Sequence, residues 1–310
     1  WCAAYGGEIA ADQVAITSGC NQAFAAIMST LCAPADEVIL PTPWYFNHKM
    51  WLDMSGIAAV PLKTGTDLLP SVEAAAALIT SKTRAITLVS PNNPGGVEYP
   101  SELIGAFYDL CKSRDIALVL DETYRDFDSR CGAPHDLFTR DGWDDTLVQL
   151  YSFSKAYRLT GHRVGAMVTS LARMAEAEKF LDTVTICPNQ LGQRAALWGM
   201  HNLGDWLAGE RLEILDRRAA ITDNFPKLAA NGWRLLACGA YFAYVEHPFD
   251  LPSDQVAQKL VPEAGVLVLP GTMFMPDQSP EGARQLRIAF ANIDRAGIET
   301  LFNRLSNLPY

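Results

Sequence analysis

Ala117-Leu-Val-Leu-Asp121-Glu-Thr-Tyr124 is a strand that ends in chemistry. Ala117–Leu120 is a continuous apolar run. A strand with one wet face alternates apolar and polar residues, so an unbroken run marks a strand covered on both faces, as in a parallel sheet. The run stops at a carboxylate. Burying Asp121 is costly unless a cation or hydrogen-bond donors compensate. That partner is either a protein cation or a protonated ring nitrogen of a bound cofactor, and Tyr124 lies within reach of the same place.

Working outward, short β-rich runs recur at Val14–Ser18, Glu37–Pro41, Ala58–Pro61, Ala85–Ser90, Leu147–Ser152 and Val164–Thr169. Helical periods lie between them: Phe24, Ile27, Met28 and Leu31 follow i, i+3, i+4, i+7, as do Ile104, Phe107, Tyr108 and Cys111. Alternating strands and helices predict an α/β fold, a mostly parallel seven-stranded sheet between helices. After about residue 170 helical composition dominates. Short strands follow at Trp233–Leu236, Tyr241–Val245, Val266–Leu269 and Leu286–Phe290, then a helix with Ile298, Leu301, Phe302 and Leu305 on one face. This predicts a large domain over 1–215 and a smaller α+β domain over 216–310, joined by a helix near Glu210–Gly232.

The 310 residues allow about two domains at roughly 150 residues each. Twenty-five Lys and Arg against 35 Asp and Glu give a net charge of −10, which disfavours nucleic acid and anionic membrane as partners. No apolar run approaches the ~20 residues of a membrane span. The seven cysteines are scattered without C-x-x-C and the five histidines without H-x-x-x-H, so a reduced, cytoplasmic protein with no metal site is expected. The first residue is Trp, and no signal segment follows.

Ligands of open α/β sheets gather beyond the carboxyl ends of the strands. After Val14–Ser18 comes Gly19-Cys20-Asn21-Gln22, a small-residue turn opening a helix, where free N–H groups suit an anion. After Ala85–Ser90 comes Pro91-Asn92-Asn93-Pro94-Gly95-Gly96, either a tight turn or a rigidly held amide. After Leu147–Tyr151 comes Ser152-Phe153-Ser154-Lys155, then Arg158 and Arg163. A lysine among apolar and small residues has a lowered pKa and becomes a nucleophilic amine. A serine acyl-transfer site of Ser-x-x-Lys type also wants a downstream Lys-Thr-Gly; Lys63-Thr64-Gly65 lies upstream, and Ser-Asp-Asn is absent. Arg287-Ile-Ala-Phe290 opens or edges a strand, and its guanidinium is either a surface ion pair or a fork for a carboxylate.

The order and spacing of these five segments, with Ser152–Gly165 the most specific, resemble the pyridoxal-phosphate aminotransferases of fold type I, class I/II. The resemblance spans nearly the whole chain. It implies a dimeric enzyme that moves the amino group of an L-amino acid through pyridoxal 5′-phosphate to a 2-oxo acid. Lys155 would carry the cofactor as an imine and shuttle the proton at Cα. Asp121 would pair with the pyridine nitrogen. Tyr124 and Asn93 would hydrogen-bond the phenolic oxygen, and Tyr45, rather than Trp44, would stack on the ring. Gly19, Cys20, Asn21, Ser152, Ser154 and Arg163 would hold the phosphate; Asn93 and Arg287 would meet the substrate, Arg287 at its α-carboxylate. Pro188-Asn189-Gln190 would approach the partner subunit's site. The loop Arg125–Phe138, the helix start after Pro43 and the turn Pro270–Met275 would shape the side-chain pocket with Arg125, Arg130, Trp44, His48 and Phe274.

The resemblance also implies departures. Family members carry an N-terminal arm before the equivalent of Trp1, and Gly95-Gly96 stands where Thr-Gly is commoner. A β/γ lyase on the same scaffold, and the non-catalytic cofactor-binding domain of a transcription regulator, remain alternatives.

Overall fold

The computed structural model describes residues 1–308. Seven strands form the first sheet: β1 (Val14–Thr17), β2 (Glu37–Thr42), β3 (Ala58–Lys63), β4 (Thr83–Val89), β5 (Ala117–Asp121), β6 (Leu147–Ser152) and β7 (Gly165–Val168), in the order β1-β7-β6-β5-β4-β2-β3. Neighbours from β6 to β3 pair in parallel. β7 alone runs against its neighbours, β6 and β1. Every predicted strand forms, with ends moved by one or two residues.

Alternation along the strands divides the core in two. Ile39, Ile86, Leu88, Leu118 and Leu120 face the helix Ser101–Ser113, which buries Ile104, Phe107, Tyr108 and Cys111 against them. Val38, Leu40, Ala85, Ala117, Val119, Val148 and Leu150 face the helix Cys20–Leu31, which buries Ala23, Phe24, Ile27 and Met28. β5 is buried at all five residues, as its unbroken apolar run requires. The same alternation sends Asp121 to the face of the helix Cys20–Leu31 and Glu122 to the other.

The helix Gly204–Ala229 leads to a second sheet, antiparallel, of β8 (Arg234–Gly239), β9 (Phe242–Glu246), β10 (Leu269–Pro270) and β11 (Gln285–Ala289), in the order β10-β11-β9-β8. It has its own core, including Ile221, Phe225, Trp233, Val245, Leu260, Ile288 and Phe302. Two expectations need correcting. The strand predicted over Val266–Leu269 shortens to Leu269–Pro270, because only these residues find partners on β11. Arg287 is not on an edge: β11 lies between β10 and β9.

The loop after β4 meets the end of β8 backbone to backbone. A Cβ on Gly96 would come within 2.1 Å of the Gly239 carbonyl oxygen, and one on Gly239 within 2.2 Å of the Gly96 carbonyl oxygen. Gly96 also has φ +73°, which L side chains rarely adopt. Gly96, the second glycine of the Gly95-Gly96 pair, is thus fitted to this contact. Among the described residues, no helix is long and apolar enough to cross a membrane.

Candidate active site

Asp121 forms the floor of the site. It is 3% exposed. One oxygen, Oδ1, accepts hydrogen bonds from the Thr123 backbone N–H at 3.0 Å and hydroxyl at 2.7 Å. The other lies 3.2 Å from His48 Nε2. Burial pushes the carboxyl pKa up, but His48 and the Thr123 donors outweigh it, and the net shift is below the ordinary aspartate value. Asp121 is therefore an ionised group at neutral pH inside an apolar wall.

His48 comes from the helix Phe46–Met54, whose first turn sets it under Tyr45. Its ring stacks on Phe24 with centroids 3.9 Å apart, and Tyr45 meets it edge-on at 5.0 Å. The sequence reading put His48 in a substrate side-chain pocket; the structure puts it beside Asp121. The signal lay in the spacing Tyr45-x-x-His48, which places both on one face of a helix start.

An anion cup lies where β1 and β6 end. Gly165 opens β7 between them, paired to Thr17 on one side and Ser152 on the other. A side chain there would strike the Gly19–Cys20 backbone at 2.5–2.6 Å, so glycine lets the two ends close. Gly19, at φ +86°, starts the helix Cys20–Leu31. A Cβ on Gly19 would lie 2.2 Å from Arg163 Nη2, so the guanidinium rests directly on the turn. Arg163 Nη1 donates to the Thr160 carbonyl at 3.0 Å. The Ser152 hydroxyl accepts from the Ser154 N–H at 3.2 Å, with both residues buried. Helix N–H groups, hydroxyls and a guanidinium thus converge on one point.

Lys155 follows β6 on the short helix Phe153–Ala156. Its pKa is lowered, first by burial and then by the positive charges of Arg287 and Arg163. It shares a cavity of about 220 Å³ with Cys20, Asn21, Tyr45, Asn93, Asp121, Tyr124, Ser152, Ser154 and Arg163. Burial holds the Tyr124 hydroxyl well above its ordinary pKa and pushes Tyr45 up to about 12, so both are neutral at pH 7.

Arg287 reaches in from the second sheet. Its Nη1 donates to Asn93 Oδ1 at 2.7 Å. Its cation lies over Phe242 at 4.5 Å and Phe274 at 5.1 Å. Nε is buried without a hydrogen-bond partner, and burial lowers the pKa against the pull of Tyr124, Tyr45 and Tyr244. Among the described residues, no carboxylate pairs with it. An uncompensated guanidinium beside a depressed lysine is electrostatically ready for an anion.

The structure therefore brings Gly19, Cys20, Asn21, Tyr45, Asn93, Asp121, Tyr124, Ser152, Ser154, Lys155, Arg163 and Arg287 to one place. It does not bring the expected side-chain pocket there. Trp44 is buried in the core beneath the sheet. Phe274 lies behind Arg287, packed on Phe46 and Tyr244. Arg130 is bidentate to Asp128. Arg125 lies 4.0 Å over the Tyr151 ring and donates to the Tyr5 hydroxyl, which in turn donates to Glu122 at 2.5 Å. Glu122, His135 and Gln149 complete that buried network on the opposite face of β5. The loop after Tyr124 turns to this face because Glu122 recruits it.

The chain matches the family model described as aminotransferase class I and II over residues 3–305. An arginine–pyruvate transaminase of Pseudomonas aeruginosa is 30% identical over 309 residues, covering 96% of this chain and 77% of that protein. An aromatic aminotransferase of Arabidopsis thaliana is 29% identical over 269 residues, covering 84% and 67%. The fold agrees with a Thermus thermophilus aspartate aminotransferase mutant at a TM-score of 0.89 and 23% identity, over 98% of this chain and 82% of that one. With its sheet order and its convergence of strand ends, the chain belongs to the class I and II aminotransferases.

Proposed function

We propose that this aminotransferase binds pyridoxal 5′-phosphate on Lys155 and passes amino groups from L-amino acids to 2-oxo acids. The carrying observation is the half-buried, pKa-depressed Lys155 amine in one cavity with a locked carboxylate and an anion cup. The residues fit the group. The Gly19 turn, the Cys20 and Asn21 N–H groups, Ser152, Ser154 and Arg163 suit its phosphate, and a Cβ at Gly19 would strike the Arg163 guanidinium and push it from the turn. Asp121, kept ionised by Thr123 and His48, suits a protonated ring nitrogen, and Tyr45, which lines the same cavity, would stack on the ring. Tyr124 and Asn93 are neutral donors for the phenolic oxygen.

Bound there, the group supplies an electron sink for charge developing at the substrate Cα. The chain's own residues do the rest. Lys155 would hold the cofactor covalently, and its amine would move the proton at Cα; its lowered pKa keeps more of it as free base near neutral pH. Arg287 takes the α-carboxylate in a fork and orients the Cα–H bond.

We further infer a homodimer with sites at the subunit interface. Ile186, Leu191 and Trp198, 74, 77 and 58% exposed, offer an apolar surface on and beside the helix Gln190–Asn202. The stretch Pro188–Gln190 lies within it. Residues 1–215 and 216–310 are proposed as domains that share the helix Gly204–Ala229. Seven free cysteines suit a reducing, cytoplasmic compartment.

Protein loaded with pyridoxal phosphate should absorb in the visible or near-ultraviolet, and borohydride should fix the label in the peptide containing Lys155. Label on another lysine, or none, would overturn the assignment. Arg287→Lys is expected to lower kcat/KM for amino acids by ~10- to 1000-fold, because an ammonium cannot form the planar two-bond contact. Amines without a carboxylate should lose far less. Equal losses on both substrate types would make Arg287 structural.

A further inference from the structure

Away from Lys155 the cavity widens into a cleft of about 910 Å³, lined from the ends of both sheets. Its outer charges cancel in place. Arg158 pairs with Glu210 at 2.5 Å and Arg217 with Glu213 at 2.9 Å. Arg217 also donates to the Ala291 carbonyl. Among the described residues lining the cleft, the cations left without a carboxylate are Lys155 and Arg287, and the proposed reaction uses both. From this chain's own lining, a carboxylate on the substrate side chain would find no free cation, and a side-chain cation no free carboxylate.

What the cleft offers instead is apolar. Leu269 is paired directly with Arg287 across β10 and β11. Opposed residues of an antiparallel pair share a face, so Leu269 stands beside the guanidinium. Two residues earlier, Leu267 lines the same cleft and is 81% exposed. An exposed leucine alone needs no explanation. This one extends an apolar row that starts at the carboxylate fork, and Phe46 and Ile214 also line the cleft.

We propose that the amino acid taken by this site carries an uncharged, apolar side chain, seated against Leu267, Leu269 and Phe46. This rests on the aminotransferase reading of the same cavity. Two measurements on the full chain loaded with pyridoxal phosphate test it. In single-turnover half-reactions, L-leucine, L-methionine and L-phenylalanine should exceed L-aspartate, L-glutamate and L-arginine by at least ~10-fold in kcat/KM, the scale of pocket discrimination. In calorimetric binding, 4-methylpentanoate should bind at least ~10-fold tighter than succinate. Leu267→Arg, a change at an exposed position, should move both ratios toward the acidic ligands by at least ~10-fold.

Aspartate or arginine reacting faster than leucine, succinate binding as tightly as 4-methylpentanoate, or ratios unmoved in Leu267→Arg would each overturn the proposal and leave the aminotransferase reading intact. A chain that takes up the cofactor but converts no amino acid, L-alanine included, would overturn both.

Discussion

Lys155→Ala is expected to lower kcat by about 10⁴-fold or more, the upper range for removing a positioned proton-transfer group. No neighbour can replace the amine. Arg163 lies on the Gly19 turn and Arg287 is hydrogen-bonded to Asn93, and a guanidinium does not give up its proton near neutral pH. The aromatic hydroxyls in the cavity have raised pKa values and make poor bases. Fold and stability should change little, because Lys155 is only half-buried and its burial is itself opposed by desolvation. Stopped-flow absorbance with an amino donor, beside thermal unfolding of both proteins, separates these effects. A variant within ~10-fold of wild type would place the proton-transferring group elsewhere.

Asp121→Asn should retain cofactor and lose about 10²- to 10⁴-fold in kcat. The substitution is nearly isosteric, so the Thr123 contacts can persist. What goes is the negative charge. Asp121 is buried, so its electrostatic effect is less screened than at the surface, and it acts most on the state in which negative charge has developed at Cα. A group important for turnover rather than affinity lowers kcat and kcat/KM together, which steady-state kinetics with equilibrium dialysis of the cofactor would read. Near-normal kcat would remove Asp121 from the chemistry.

The fold was legible wherever one residue pattern had one physical meaning. Ala117–Leu120 could only be a strand covered on both faces, and Phe24, Ile27 and Met28 could only face a core. The resemblance located the residues around Asp121 and Lys155 because they sit at strand ends, where a few consecutive residues fix position. The outer cleft was not legible. Arg125 looked like a pocket residue from its place after Tyr124, but Glu122 and the rings of Trp1, Tyr5 and Tyr151 draw it to the other side of the sheet. Such long-range neutralisation leaves no local trace. Leu267 was read as part of a strand, and its exposure follows from how little of β10 pairs.

The Gly96–Gly239 contact has an evolutionary consequence. Most packing constraints can drift: a larger residue on one side is tolerated once a smaller one appears opposite. Here each added Cβ would meet main-chain atoms, and main chain cannot be made smaller. No compensating substitution at either position can open the route. Descendants of this sequence can vary the cleft walls, which are side chains, and so change substrates by small steps. They can lose the glycine pair only by moving the second sheet away from the loop after β4, and with it Arg287 from Asn93. The lineage is thus free to explore what it binds while being held to one way of closing around it.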